Sequence, residues 1–256
     1  MKKIALLVLS CDKYSDLWKS YAELLNRFWP DCPYDKYLAS NTIEFNSQGF
    51  KPILMGPDVT WSYGVKIALA QLKDNYDYVF TTLEDCPLVV KVDNDYVVKA
   101  FESFTEDDGN FLRTYMVVKP KIKPINQYYG EVENHTPYRQ TCAYAVWKIK
   151  TLYEILDEKE SAWDFERIGV KRGFNYGKFF CLYKNQFKLI NLVIKGKLLR
   201  ASYRKLKELI PEADLNRQQF TIRENVKDKI HGYFVRMALK FIPQKIQNKI
   251  YFIRHK

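Results

Sequence analysis

Two segments, Ile4–Leu9 (IALLVL) and Tyr78–Leu83 (YVFTTL), carry apolar, aromatic or β-branched residues at every position rather than at alternate ones. A strand with no polar face has to be covered on both sides, and parallel sheets with helical crossovers provide that cover. The chain between the two segments supplies the crossovers. A helix is expected over residues 15–28, capped by Ser15, with Leu17, Trp18, Tyr21, Leu24, Leu25 and Phe28 on one face and Trp29-Pro30 ending it. Strands follow over 34–39 and 53–55, then a helix over 62–72 that buries Val65, Ala68, Leu69 and Leu72. The rhythm predicts an α/β fold built on a mostly parallel sheet flanked by helices. Further on, the patterns predict a helix over 93–104, strands over 111–118 and 141–147, a proline-punctuated loop over 119–137, a helix over 150–157, a strand pair at 179–183 and 189–194, and helix from Ala201 onward.

The chain has 256 residues, 47% of them hydrophobic, enough for one sizeable core with an appendage. Residues 1–200 are expected to form the main domain and 201–256 a helical, basic extension. Cysteines 11, 32, 86, 142 and 181 are odd in number and contain no C-x-x-C pair, which argues for reduced thiols rather than a zinc site or disulfide framework. The opening MKKIALLVLS reads as a strand rather than a leader, because Asp12 and Lys13 end the apolar stretch too early. No run approaches the roughly 20 apolar residues of a membrane span. Net charge is +11, which points to an anionic partner. The excess concentrates in Lys229 to Lys256, with seven basic residues and no acid.

The glycines form neither G-x-G-x-x-G nor G-x-x-x-x-G-K-[ST], and His135, His231 and His255 offer little for a nucleophile pair. Acid–base chemistry therefore has to rest on carboxylates. One cluster is Leu83-Glu84-Asp85-Cys86, at the end of a buried strand, where open α/β sheets bind ligands. A carboxylate there can hold a divalent cation on a diphosphate or accept from a ribose hydroxyl; read from the residues alone, both acids are equally solvated turn residues before Pro87. The other cluster is Ser161-Ala162-Trp163-Asp164-Phe165-Glu166, in which Asp164 is equally a capping-box acid below Ser161.

The order of L-E-D-C with V-K-V-D beyond it, the earlier TWSYGVKIAL, the later SAWDFE and then VIKGKLLR resembles a family of bacterial surface-polysaccharide (capsule or O-antigen) glycosyltransferases with the GT-A fold, over residues 3 to 201. The resemblance implies a Rossmann-like domain that takes a nucleotide-sugar donor and transfers the sugar to a glycan hydroxyl; an inverting reaction, the one expected, needs a carboxylate base, whereas a retaining one, which the sequence leaves open, does not. It places Ser10, Asp12 and Asn41 at the donor's base and ribose, and Trp61 and Ser62 at the diphosphate on a helix N-terminus; the alternative for these two is a core tryptophan and an N-cap serine. Glu84 and Asp85 match the region of the D-x-D motif. Cys86 stands where the second aspartate would be, so Mg2+ or Mn2+ at Asp85 is an open expectation. Lys197 and Arg200 would neutralise the leaving diphosphate or, equally, belong to a solvated basic loop. Asp164 and Glu166 are the candidate bases, with Asp164 preferred, and Trp163 would stack an acceptor sugar or pack in the core.

In the tail, Ile230, Phe234, Met237, Ala238 and Phe241, continued by Ile246, Ile250 and Ile253, follow helical spacing among lysines and arginines. Such a helix reads as an anchor on an anionic membrane surface, which implies a cytoplasmic protein peripheral to the inner face of the membrane and a glycan or lipid-linked glycan acceptor. The bland alternative is a helical cap on the domain. A non-catalytic GT-A-like scaffold of a glycan assembly complex would also show the incomplete D-x-D. Nucleic acid is not expected as a partner, since no recognition motif accompanies the charge.

Overall fold

Along Ile4–Leu9 the side chains divide with a period of two: Leu6 and Val8 enter the hydrophobic cluster on one face of a sheet, and Ala5, Leu7 and Leu9 the cluster on the other. The computed structural model describes residues 2–57, 59–116, 120–136, 139–227, 230 and 237. In chain order the elements are β1 (Ile4–Leu9), a 3-10 turn (Asp12–Tyr14), α1 (Ser15–Phe28), β2 (Asp35–Ser40), β3 (Phe50–Leu54), α2 (Trp61–Leu72), β4 (Tyr78–Leu83) and α3 (Asn94–Glu106). Then come β5 (Phe111–Arg113), β6 (Ile122–Pro124), β7 (Tyr129–Val132), β8 (Ala145–Lys148), α4 (Ile149–Ile155), α5 (Ala162–Arg167), a 3-10 segment (Gly169–Asn175), β9 (Phe179–Leu182), β10 (Val193–Ile194), β11 (Lys197–Leu198) and α6 (Arg200–Leu209).

The main sheet has the order β3-β2-β1-β4-β8-β5-β9-β7-β6. Its first half is parallel as the apolar runs predict. The other half is mixed: β8 lies antiparallel between β4 and β5, and β7 antiparallel to β9. Both faces are covered. Trp18, Tyr21 and Leu25 of α1 and Val97, Phe101 and Phe104 of α3 pack on one side. Val65 and Leu69 of α2, Leu152 of α4 and Phe165 of α5 pack on the other. A further cluster joins Leu17 and Leu24 of α1 to Leu192 and Val193, to Leu198 of β11, and to Leu206, Ile210 and Leu215, so the segment after 190 wraps over the outside of α1.

Several local expectations are corrected. Ser15 does not cap α1; the helix is entered directly from the 3-10 turn, and Ser15 is its first residue. Thr60 rather than Ser62 caps α2, its Oγ1 accepting from the Tyr63 amide at 3.3 Å. The 119–137 stretch is not all loop but holds the β6–β7 hairpin, where a Cβ on Gly130 would come within 2.7 Å of the Lys123 carbonyl oxygen. β5 stops at Arg113, and the Thr114 amide and hydroxyl turn to the Tyr144 carbonyl at 3.1 and 2.5 Å. Tyr144, at φ 50°, ends the irregular approach to β8. Residues 189–194 do not pair with β9; they run beside 85–89, with Leu192 N to Asp85 O at 2.7 Å, and continue into the β10–β11 hairpin. Helix is not continuous after Ala201: α6 ends at Leu209 before Pro211, and helix returns at 222–227. The amphipathic tail of the sequence reading lies outside the described residues except for Ile230 and Met237. Among the described residues no helix is long and apolar enough to cross a membrane.

Phe80, fully buried on β4, sits with its ring centroid 5.1 to 6.0 Å from those of Phe187, Phe101, Tyr144 and Trp29. Phe80→Ala is expected to cost about 3–5 kcal/mol of stability, read as a shift of the urea midpoint; a loss under about 1 kcal/mol would show that the sheet is not organised around this ring.

Candidate active site

The chain leaves β1 for β2 on one side and comes back to β4 on the other, so the sheet has its switch point at β1 and β4, and a crevice opens at their carboxyl ends. Leu9 and Leu83 are register partners, which brings Ser10 and Glu84 out of the sheet together. Ser10 is fixed by its amide on the Ala39 carbonyl (3.0 Å) and by Trp18 Nε1 on its hydroxyl (2.7 Å).

Asp12 is tied to the loop after β2. Its carboxylate accepts from the amides of Asn41 (3.0 Å), Thr42 (3.1 Å) and Ile43 (3.2 Å) and from the Thr42 hydroxyl (2.6 Å). Its own amide donates to Asn41 Oδ1 (3.2 Å), and Asn41 Nδ2 reaches the Gly56 carbonyl (3.2 Å) beyond β3. Partial desolvation works against ionisation, but the Thr42 hydroxyl and the amides outweigh it and hold the Asp12 pKa below the usual carboxylate range. Asp12 thus knots the loops beyond three strands together, with its lone pairs already taken.

Glu84 is 6% exposed, and Asp85 Oδ1 is buried with no hydrogen-bond partner. The backbone around them is held firmly: Leu192 N donates to Asp85 O, the Tyr144 hydroxyl to Cys86 O (2.8 Å), and the Tyr21 hydroxyl to Thr82 Oγ1 (2.7 Å). Burial first and the Asp85 charge second push the Glu84 pKa well above the carboxylate range, against the hydrogen bond from Ser10. Burial also raises that of Asp85. The cation whose field opposes both shifts is Arg217, from the segment after α6. Arg217 forks onto Asp16 at 2.7 and 2.6 Å, donates to the Lys13 carbonyl (2.6 Å) and stacks 4.3 Å over the Tyr14 ring. Its Nη1 makes no hydrogen bond among the described residues. Sequence reasoning misses Arg217, which no local motif marks.

The second acid cluster divides. Asp164 closes a capping box with Ser161, whose hydroxyl and amide hold its carboxylate at 2.6 and 3.2 Å and keep its pKa low. Glu166 turns inward. Its Oε1 accepts from the Thr141 hydroxyl (2.6 Å), the Cys142 amide (2.9 Å) and the Cys142 thiol (3.3 Å), in the segment entering β8 at the carboxyl end of β4. Its charge is felt at Cys86, next to Asp85, and at half-buried Arg113. Glu166, rather than the preferred Asp164, is the acid that the fold brings toward the Glu84–Asp85 pair. Trp163 is 65% exposed, with Arg167 stacked 5.3 Å above it, and is no core residue.

Other candidates are placed elsewhere. Trp61 packs on Phe165 at 5.5 Å, and the N-terminus of α2 is already served: Thr60 caps Tyr63, and the Ser62 amide donates to Glu160 O (3.2 Å). Two of the amides that a diphosphate seat at Trp61 and Ser62 would use, those of Ser62 and Tyr63, are thus taken, and Ser62 Oγ is buried without a partner. Lys197 pairs with Glu224 (2.8 Å) and Arg200 Nε donates to Phe220 O (2.6 Å), so both fasten the chain that follows Arg217. Among the described residues no group of three or more His, Cys, Asp or Glu is arranged to hold a metal ion. The one orphaned oxygen of Asp85 fits an ion that brings most of its oxygens from a ligand.

No protein-family model matches this sequence, and no curated protein matches it. Solved structures do. Residues 1–349 of S. aureus TarS in complex with UDP-GlcNAc give a TM-score of 0.52 at 13% identity, over 93% of this chain and 73% of that one. The same fragment alone and with UDP gives 0.50 each, at 12% and 13% identity, over 94% of this chain and 72% and 73% of those. The chain spans 44% of the longer TarS structure. At these identities the likeness is one of fold: a GT-A-like, Rossmann-type sheet flanked by helices.

A carboxyl whose folded pKa is raised keeps its proton while the unfolded chain loses it, so stability falls as pH climbs from the ordinary carboxylate value through the raised one. Wild-type melting temperature is expected to fall as pH rises above the ordinary carboxylate value of about 4.3, and Glu84→Gln to flatten that fall. Parallel pH profiles for the two proteins would mean that Glu84 is not buried uncompensated.

Proposed function

We propose that this protein is a nucleotide-sugar-dependent glycosyltransferase that moves a sugar onto a glycan hydroxyl in bacterial surface-polysaccharide (capsule, O-antigen or lipopolysaccharide) biosynthesis, by an inverting displacement. The observation that carries this is buried Glu84 beside the unpartnered Oδ1 of Asp85 at the β1/β4 switch point, with Glu166 turned toward them from α5. The similarity to TarS in complex with UDP and with UDP-GlcNAc supports a nucleotide-sugar donor.

In this reading the donor lies across the carboxyl ends of β1 and β4. Ser10 and Asn41 form the rim at the base and ribose, and Asp12 keeps their loops in place. Asp85 Oδ1 accepts from the donor's ribose, while Glu84 keeps its proton and donates. If Mg2+ or Mn2+ accompanies the diphosphate, Asp85 is the residue that would hold it, and the ion would offset the charge of the departing phosphate. Arg217, already forked onto Asp16, takes the diphosphate role that the resemblance implies for Lys197 and Arg200, and its Nη1 is the donor on offer. Glu166 takes the proton from the attacking acceptor hydroxyl as the anomeric bond to the nucleotide breaks on the opposite side of the sugar. Exposed Trp163 supplies a flat face for the acceptor. The basic tail brings the protein to an anionic, cytoplasm-facing membrane where a lipid-linked acceptor is held.

A thermal-shift screen against UDP, GDP, CMP, CDP and dTDP sugars, with and without manganese, is expected to single out one nucleotide; no shift with any, and no donor hydrolysis, would favour a non-catalytic scaffold. With the donor found, Glu166→Gln is expected to lower kcat by about 10²–10⁴-fold with donor binding retained, and Asp164→Asn to act far less. Equal losses from the two would remove Glu166 from the base role. Removal of residues 228–256 is expected to abolish binding to anionic liposomes, read by co-sedimentation; undiminished binding would refute the anchor.

A further inference from the structure

β7 and β6 close the sheet on the side away from β3, four strands from β4. There a cavity of about 290 Å³ opens between β7 and the 173–177 turn. Its walls include Lys123, Glu131, Glu133, Arg139, Phe174 and Tyr176. That is the small end of the range for ligand pockets, the scale of one sugar ring.

Arg139 is the unusual wall. It is 3% exposed, its guanidinium lies 4.1 Å over the Phe179 ring, and its Nη1 donates to the carbonyls of Gly173 (2.7 Å) and Tyr176 (3.1 Å). Its Nε is buried without a partner, and among the described residues no carboxylate forms an ion pair with it. Burial brings its pKa down to about 10, against the field of Glu131. A buried guanidinium with neutral partners only is costly unless an anion completes it. Of the cavity's own acids, Glu133 pairs with Lys121 (3.1 Å), while Glu131 Oε1 accepts from the Lys178 amide (3.2 Å) and keeps its charge. Lys123 has no ion pair among the described residues. With Glu133 paired to Lys121, Lys123 and Arg139 face the single charge of Glu131, so one positive charge is left in excess at the cavity. It sits beside an aromatic wall and planar polar side chains.

We propose that this cavity binds an anionic saccharide unit, one sugar ring bearing a carboxylate or phosphate, with its oxyanion on Arg139 and Lys123 and its ring against Phe174 and Tyr176. The guanidinium fork suits either planar carboxylate or phosphate oxygens. The site is separate from the β1/β4 crevice and does not depend on transferase activity.

The full-length protein would be titrated with glucuronate, glucose 6-phosphate and glucose by saturation-transfer NMR, with hydrogen exchange to locate the effect. At least one anionic sugar is expected to bind saturably and about tenfold or more tighter than glucose, slowing exchange in 131–134 and 174–177; the stronger of the two names the oxyanion. Lys123→Glu, an exposed change, is expected to weaken that binding about threefold or more, and Arg139→Gln about tenfold if circular dichroism shows it folded. The proposal is overturned if neither anionic sugar binds, if glucose binds as well as they do, if protection falls elsewhere, or if Lys123→Glu leaves the affinity unchanged.

Discussion

β1 and β4 lie side by side with apolar side chains on both faces, and this leaves the middle of the molecule without a polar outlet. The threonines of β4 are bound inside the core, Thr81 to the Ala145 carbonyl and Thr82 by the Tyr21 hydroxyl, so the polar groups on offer are the first residues beyond the strands. Because Leu9 and Leu83 are in register, those residues, Ser10 and Glu84, emerge as neighbours. The amide-rich collar around Asp12 then sets the loop height: one carboxylate, satisfied by three backbone amides and a hydroxyl, binds the exits of β1 and β2, and the Asn41 side chain carries the tie to Gly56 beyond β3. A rim so fastened loses little entropy when a ligand arrives, which is what preorganisation requires.

Burial at the carboxyl end of β4 makes its acids costly. Glu84 and Asp85 share an environment in which their full ionisation is opposed by desolvation and by each other, and the cation that relieves them comes from the far end of the described chain. Arg217 reaches them from a segment packed on the outer face of α1 through Leu206, Ile210 and Leu215, and it grips Asp16 on the first turn of that helix. The segment after α6 is thus part of the crevice electrostatics, not an appendage to it. Lys197 and Arg200 contribute indirectly, by fastening residues 220–224.

How far the sequence discloses this depends on the range of each interaction. β1 and β4 are legible to the residue because their pattern is local and both faces are buried. The capping box at Ser161 is legible for the same reason. The antiparallel insertion of β8 between β4 and β5 is not, since strand direction is decided by pairing between residues as far apart as Thr81 and Ala145, 64 positions on, and leaves no trace in periodicity. The β6–β7 hairpin hides behind prolines that usually punctuate loops. Within the site, Glu84 and Asp85 are marked by the strand they terminate. Arg217 is unmarked, because its partner Asp16 is 201 residues away. An acid-rich motif does not contain the geometrical point of which of its two acids, Asp164 or Glu166, the helix start turns inward.

That point follows from α5 itself. Successive helical residues are rotated by about 100°, so 164 and 166 project about 200° apart. Once Ser161 engages Asp164 at the cap and Phe165 is driven into the core against Trp147 and Trp61, the rotation of the helix is fixed and Glu166 is carried to the Thr141–Cys142 turn. The capping acid and the inward acid are therefore not competitors for one role. Asp164 orients α5, and only through that orientation does Glu166 reach the carboxyl end of β4. Trp163, one position before the cap acid, is left in solvent by the same rotation, which puts a flat aromatic surface and an inward carboxylate on a single short helix.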